Sequence, residues 1–320
     1  MMNRISKIIF IFLFAIAALT TCFADSAKNI IATGSIDEVI AQLNGKLSTA
    51  PSDAESANLL CRAYYALEQW DRAESSCRRA ASLDPSNARF HLWLGRVYGE
   101  KADRANFLAA TGLAGKVRGE FERAVQLSPG DIDARMDLAE FYLEAPVIIG
   151  GGEDKAREQA RSVGTLNPAR EHWVYARIAE KKKDYATAER EYHQYIDVSH
   201  GDAEAWLNLA LFLRRQKRFD EMEQAIAKLS HAPTTKPEVL VEGAAMLYRT
   251  NRNFPFASEM LRRYLNSPVE AEPAFKAHYL LGVLLEKQGE KTAAAQEYRT
   301  SLSLARNFGV AQQALNRVAH

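Results

Sequence analysis

The feature that most constrains this sequence is a repeat of about 34 residues. A leucine followed by a small residue recurs, with a tyrosine three positions further on: Leu60-Cys61 with Tyr64, Leu94-Gly95 with Tyr98, and Leu138-Ala139 with Tyr142. The units begin near Ala54, Ala88, Ile132, Ala169, Ala203, Glu238 and Phe275, at spacings of 34, 44, 37, 34, 35 and 37 residues. A period of this length is typical of stacked units that share one continuous core.

Each unit contains two segments whose apolar residues follow helical spacing. In the first unit, Leu60, Cys61 and Tyr64 share one helical face, and Ala73, Cys77 and Ala80 share another. We therefore predict an all-α chain of about seven helical hairpins over residues 54–306. Because the ends of such a stack need covering, residues 25–53 are expected to supply a lead and capping helix, and residues 307–320 a second capping helix.

The second unit resembles the tetratricopeptide repeat family most clearly. Residues 88–130 contain Trp-Leu-Gly-Arg-Val-Tyr at 93–98 and Phe-Glu-Arg-Ala-Val-Gln-Leu-Ser-Pro at 121–129. Two positions depart from the family pattern, since His200 replaces a closing proline and Val117 replaces an alanine. The resemblance implies a right-handed solenoid whose concave wall is formed by the first helix of every hairpin.

The resemblance also implies which side chains point into the concave groove. They lie at positions 2, 5, 9 and 12 of the units and include Asn58, Arg62, Tyr65, Arg89, Arg96, Glu140, Arg170, Trp173, Arg177, Leu207, Leu211, Arg214, Arg249 and Tyr279. Arginines beside aromatic residues suit an extended peptide that carries carboxylates, because guanidinium groups pair with them bidentately. The alternative is a solvated helix face. The family's known carboxylate-clamp pattern is not reproduced.

Two cysteines lie symmetrically about the first hairpin turn. Cys61 and Cys77 are each eight residues from its midpoint, so antiparallel helices would place them at the same height. In an exported chain we expect a disulfide between them, because an oxidising compartment allows nearby cysteines to bond. The alternative is two buried thiols that serve as small packing residues.

The first 24 residues have the layout of a secretory signal peptide. Arg4 and Lys7 precede an apolar run over residues 8–19, and cleavage is expected after Ala24. The run is shorter than the ~20 residues of a spanning helix, which argues against an uncleaved anchor. We expect export, with the bacterial periplasm as the location. Lipid attachment at Cys22, which would make an outer-membrane lipoprotein, is the alternative.

Charge and motifs exclude several classes of function. Cleavage would remove two basic residues and no acidic one, which turns 41 against 40 into 39 against 40 and argues against a nucleic-acid partner. The sequence contains no HExxH, GxSxG, phosphate-loop or Cys-x-x-Cys motif. His91, His172 and His278 fall at similar places on first helices, which indicates packing. No metal, cofactor or catalytic residue is predicted, and the oligomeric state stays open.

Two insertions interrupt the period. Residues 102–115 should lengthen the second hairpin, with Phe107 and Leu108 covering the long loop of the third unit. That loop contains Val147, Ile148 and Ile149, which must either be buried or contact a partner. Its glycines at 150–152 precede a helix and could hold an anion, although an ordinary capped turn is the simpler interpretation.

The sequence therefore predicts an exported, non-enzymatic scaffold that binds a protein or peptide on its concave face. The rival is a small-molecule or anion binder, or an enzyme, that uses the loop at residues 145–155. A third hypothesis is an outer-membrane lipoprotein that takes part in envelope assembly.

Overall fold

The computed structural model describes residues 36–267 and 273–319. Within these ranges the chain forms sixteen α-helices, one 3₁₀ helix and no strand. The helices are α1 (Ile36–Thr49), α2 (Ala54–Ala66), α3 (Trp70–Leu83), α4 (Ala88–Arg104), α5 (Phe107–Leu127), α6 (Ile132–Glu144), α7 (Glu153–Gly164), α8 (Pro168–Lys181), α9 (Tyr185–Val198), α10 (Ala203–Arg215), α11 (Phe219–His231), α12 (Val239–Arg249), α13 (Phe254–Leu265), α14 (Ala274–Lys287), α15 (Lys291–Leu304) and α16 (Gly309–Val318). The 3₁₀ helix, Val147–Ile149, lies between α6 and α7. The predicted signal peptide, with Cys22 and Ala24, lies outside the described residues.

Helices α2 to α15 pair into seven consecutive hairpins, and α1 and α16 flank them. Small residues allow the two helices of a hairpin to approach closely. A Cβ atom added to Gly95 would lie 2.5 Å from the ring of Phe121, and one added to Gly282 would lie 2.6 Å from the ring of Tyr298. The predicted all-α stack of about seven hairpins is confirmed.

The first helices of neighbouring hairpins also touch one another. Contacts join α2 to α4, α6 to α8, α10 to α12 and α12 to α14. We call the surface formed by the seven first helices (α2, α4, α6, α8, α10, α12 and α14) the inner wall. The second helices lie on the outside of the curve, as expected for a coiled stack.

Most hairpin turns use one left-handed residue at the same place. The second residue after the first helix has positive φ in five hairpins: Glu68 at 59°, Lys183 at 62°, Lys217 at 60°, Asn251 at 55° and Gly289 at 84°. Only the last of these turns has the glycine that this conformation favours. The turn geometry is therefore set by the stack and not by the local residue.

The insertion in the second unit lengthens its hairpin but does not cover the neighbouring loop. Helix α4 has 17 residues and α5 has 21. Phe107 is 88% exposed and Leu108 is 83% exposed, so the prediction that they cover the loop is wrong. They lie at the beginning of α5, where the lengthened hairpin turns. Instead, Arg118 in the middle of α5 contacts the loop and donates from Nη1 to the carbonyl oxygen of Ile149 at 3.1 Å.

Candidate functional site

Aromatic rings and arginines meet on the inner wall of the first two hairpins. The guanidinium carbons of Arg62 and Arg96 lie 5.0 and 5.2 Å from the ring centroid of Trp93. Tyr65 meets the same ring edge-on, with its centroid at 5.5 Å. Such cation–π contacts fix the guanidinium planes. We call Asn58, Arg62, Tyr65, Trp93 and Arg96 the amino-terminal cluster.

The two arginines of this cluster differ in how their charges are balanced. Burial, followed by the positive charge of Arg89, holds the pKa of Arg62 below its ordinary value. Among the described residues Arg62 makes no ion pair, whereas Arg96 pairs with Asp137 at 2.6 Å. Burial opposes the charge of Arg96, but the carboxylate outweighs it and raises the pKa of Arg96. The carboxylate of Glu55 offsets only part of these effects on Arg62, which forms no ion pair of its own among the described residues.

Asn58, one helical turn before Arg62, is fully buried with 0% exposure, and neither polar atom of its amide has a hydrogen-bond partner. The Nε atom of Arg89 is buried and unpaired as well, although another nitrogen of that guanidinium pairs with Glu55. Buried polar groups are nearly always hydrogen-bonded in folded proteins. The cluster therefore has hydrogen-bonding capacity that the described residues leave unused.

A second concave feature lies between α10 and α12. It is a pocket of about 280 Å³ lined by Leu211, Arg214, Glu238, Val241, Glu242, Ala245, Met246 and Arg249. The structure thus brings together three of the predicted groove residues, Leu211, Arg214 and Arg249. Burial, and then the charge of Arg249, lowers the pKa of Arg214. We call this feature the carboxy-terminal pocket.

Several other predicted groove residues bind to a neighbouring hairpin. Arg170 pairs with Glu204. The indole nitrogen of Trp173 donates to Asn208 Oδ1 at 2.7 Å. Because these side chains already have partners, their first role is to hold adjacent hairpins in register.

Glu140, the acidic residue of the predicted groove, also lies beside an ion pair between neighbouring hairpins. Arg177 pairs with Glu144 at 2.8 Å and approaches Glu140 at 3.8 Å. Burial raises the pKa of the Glu140 carboxyl above its ordinary value, and Arg177 offsets only part of that effect.

Two predicted groove residues pack against apolar neighbours. Leu207 is only 5% exposed and belongs to the hydrophobic core, which corrects its assignment to the groove. Its side chain fills the space between packed helices, as a leucine does wherever neighbouring apolar surface is available. Tyr279 packs edge-on against Phe308, with ring centroids 5.4 Å apart.

Sequence reasoning missed Trp93 and the carboxylates that pair with the inner-wall arginines. The repeat period could have revealed these residues, because several contacts between neighbouring hairpins join residues 34 or 35 positions apart. They include Arg89 with Glu55, Arg170 with Glu204, Trp173 with Asn208, and Tyr65 with Glu100. Residues one repeat apart occupy equivalent places on adjacent hairpins and therefore meet.

The loop between α6 and α7 offers apolar side chains but no glycine N–H groups for an anion. The N–H groups of Gly150, Gly151 and Gly152 donate to the carbonyl oxygens of Val147, Pro146 and Tyr142, at 2.9, 3.1 and 2.8 Å. This occupancy removes the basis for an anion site at the glycines. Val147 is 79% exposed and Ile148 is 94% exposed.

A disulfide joins Cys61 in α2 to Cys77 in α3, with their Cα atoms 5.1 Å apart. Three histidines pair across their own hairpins: the Nδ1 atoms of His91, His172 and His278 lie 2.6, 2.8 and 2.7 Å from Glu120, Glu191 and Glu297. The described part of the chain contains no group of three or more side chains placed to hold a metal ion. None of its helices is long and apolar enough to cross a membrane.

The sequence matches a known repeat family, and the structure resembles solved structures. A tetratricopeptide repeat model matches residues 59–110, 175–231 and 243–309, more than half of the chain. No curated protein matches the sequence. The structure is similar to yeast Tom70, with a TM-score of 0.52 and 15% identity over 89% of this chain, and the chain spans 58% of the length of that protein.

Two further solved structures share lower similarity. A tetratricopeptide repeat protein from Parabacteroides merdae has a TM-score of 0.38 and 18% identity over 83% of this chain and 99% of its own. The APC/C hetero-tetramer Cut9-Hcn1 has a TM-score of 0.40 and 13% identity over 94% of this chain and 55% of its own. The repeat period, the seven hairpins and the matched residues together place the chain in the tetratricopeptide repeat family.

Proposed function

We propose that this protein is an exported, non-enzymatic scaffold that binds an acidic protein segment or peptide along its inner wall. The observation that carries the proposal is the amino-terminal cluster, where Arg62 lies over the ring of Trp93 and makes no ion pair among the described residues. A ligand carboxylate would pair with this guanidinium, because it accepts hydrogen bonds from the guanidinium nitrogens.

The carboxy-terminal pocket gives the same ligand a second point of contact. Arg214 and Arg249 line a pocket together with Leu211, Glu238, Glu242 and the buried Val241 and Met246. Because the lining is partly apolar and carries charges of both signs, it suits an apolar or aromatic side chain with a carboxylate beside the arginines. We therefore propose a ligand with acidic residues at two places and an apolar residue near the second.

Export to the bacterial periplasm is part of the proposal. It rests on the predicted signal peptide and is supported by the Cys61–Cys77 pair, since disulfides persist mainly in oxidising compartments. Lipid attachment at Cys22 would anchor the protein to the outer membrane but would leave the inner wall unchanged. Labelling growing cells with a radioactive fatty acid separates the two cases, because only a lipoprotein would carry the label.

The exposed loop residues Val147 and Ile148 supply a separate proposed contact with a partner, outside the inner wall. The rival function is a small-molecule or anion binder, or an enzyme, that uses the loop at residues 145–155; its anion site at the glycines is disfavoured because their N–H groups are occupied.

Selection from a random library of linear peptides tests the main proposal. The selected peptides should be acidic, and Arg62→Gln should weaken their binding at least about tenfold, since a charge-assisted hydrogen bond contributes about 1.5–3 kcal/mol. Lys116→Gln is the matched control, because Lys116 stacks on Tyr98 and lies outside the cluster. Peptides without acidic residues, or equal binding by the Arg62 variant, would refute the proposal.

A further inference from the structure

The last hairpin of the stack returns to the first. The backbone N–H of Arg306, after α15, donates to Asp37 Oδ2 in the first turn of α1 at 2.8 Å. Lys276, in the first turn of α14, pairs with Glu68 in the turn after α2 at 3.2 Å. These residues are 269 and 208 positions apart in sequence. The two ends of the array are therefore neighbours in space.

The contact between the ends includes buried apolar residues as well as polar ones. Phe275 and Ala305, both 0% exposed, belong to the same hydrophobic cluster as Ile36 and Leu43 of α1. Phe308 packs against this cluster and meets Phe275 edge-on, with ring centroids 4.9 Å apart. Burial of aromatic area stabilises such a contact more than surface ion pairs do.

The positions of these residues show how the ends meet. Asp37 and Glu68 lie at one edge of the first module, where α1 begins and α2 ends. Lys276 and Arg306 lie at the opposite edge of the last hairpin, where α14 begins and α15 ends. The edge of the last hairpin therefore meets the edge of the first module, and the stack returns to its beginning.

The number of first helices in the stack gives an order-of-magnitude width for the space inside. Seven first helices at the usual ~9 Å spacing give a circumference of roughly 65 Å and a diameter of about 20 Å between helix axes. Subtracting a helix radius of ~5 Å on each side leaves a bore of about 10 Å. An extended polypeptide fits such a bore. A folded domain of 100 residues, with a radius of gyration of about 13 Å, does not.

We infer that the inner wall forms a laterally closed channel, and that its ligand is an extended segment with a free end that enters along the axis. This inference rests on the proposed function and adds the kind of partner: an unfolded tail or short peptide, and not the side of a folded protein. A tail of this kind has to be ordered on binding, which favours anchors at defined places such as Arg62 and Arg214.

Selective labelling of a cysteine on the inner wall tests the closure without knowledge of the ligand. In a Cys22→Ser background, Ala245→Cys places a thiol in the carboxy-terminal pocket, and Ala109→Cys places one on exposed α5 as the control. Each variant reacts with a maleimide carried by a linear decapeptide, or by a folded domain of about 100 residues. The bonded Cys61 and Cys77 do not react.

For Ala245→Cys we expect the domain-linked reagent to react at least about a hundredfold more slowly than the peptide-linked one, because a domain does not enter a bore of about 10 Å. The ratio of the peptide-linked to the domain-linked reaction rate should be close to one for Ala109→Cys. Adding Phe308→Ala and Lys276→Glu, which remove aromatic area and an ion pair from the contact between the ends, should reduce the ratio for Ala245→Cys. Adding Glu68→Lys should then restore a smaller part of it, since the charge pair is re-formed with reversed signs.

Equal relative rates at Ala245→Cys and Ala109→Cys would overturn the inference, because they would show an open groove. That outcome leaves peptide binding by the Arg62 cluster untouched. Conversely, failure of the peptide selection would refute the proposed function while the labelling ratio still reported on the closed channel.

Discussion

Replacing Asn58 by leucine should make the free protein more stable. The side chain of Asn58 is fully buried, and its amide oxygen and nitrogen have no hydrogen-bond partner among the described residues. An unsatisfied buried polar group costs about 1–3 kcal/mol, and leucine has a similar shape without that cost. The free energy of unfolding should therefore rise by about 1–3 kcal/mol in Asn58→Leu. Urea unfolding followed by circular dichroism measures the change.

A matched variant separates this effect from a general preference for leucine in helices. Asn208 accepts from Trp173 at 2.7 Å and donates to the carbonyl oxygen of Glu204 at 2.8 Å. Asn208→Leu breaks both bonds and should lower the free energy of unfolding by about 1–2 kcal/mol. The two substitutions are thus expected to change the free energy of unfolding in opposite directions.

The sign of the change in Asn58→Leu decides the matter. A loss of stability would contradict the prediction, because it would indicate that the amide is hydrogen-bonded in the free protein.

Three further predictions concern stability. Lys217→Gly should raise the free energy of unfolding by about 0.5–1 kcal/mol, and Gly289→Lys should lower it by about 1 kcal/mol, because both positions have positive φ. Urea titrations of the two variants check the sign of each change in the free energy of unfolding. Reduction of the Cys61–Cys77 disulfide should cost ~3 kcal/mol in the chain-entropy model. Mass spectrometry after alkylation of the native protein checks the bond itself, and two alkylated thiols would contradict it. Burial acts to raise the pKa of the Asp53 carboxylate, but hydrogen bonds from Lys46 and Ser56 together outweigh it and lower that pKa. Its contribution to stability should therefore be complete above about pH 4 and disappear as the pH falls through the lowered folded-state pKa. Asp53→Asn should remove that part of the acid dependence, which urea midpoints at several pH values would show.

The hairpins and their order could be predicted from the sequence because the signals are local. Leu60, Cys61 and Tyr64 define a helical face within four residues, and the same face recurs in the next unit. The inter-hairpin pairs, such as Arg89 with Glu55, were also within reach of the period, since equivalent residues one repeat apart meet. Local periodicity is enough to predict the hairpins, and contact between neighbouring repeats is enough to predict the pairs that join them.

The closure of the stack and the exposure of the insertion could not be predicted in this way. The contact between Asp37 and Arg306 depends on small rotations added over seven hairpins, which no local pattern records. The exposure of Phe107 depends on how far the lengthened hairpin extends beyond its neighbour. Both are properties of the assembled superhelix, and both alter which surfaces a partner can reach.

If the inner wall is the docking surface, crosslinking in intact cells should capture the partner there. A photoreactive p-benzoylphenylalanine would replace Leu211 on the inner wall, or Arg190 on the exposed side of outer helix α9 as the control. We expect a specific adduct with a polypeptide at Leu211 that decreases when Arg62→Gln is added, and no such adduct at Arg190. An adduct formed only at Arg190, or one at Leu211 that Arg62→Gln leaves unchanged, would contradict this expectation.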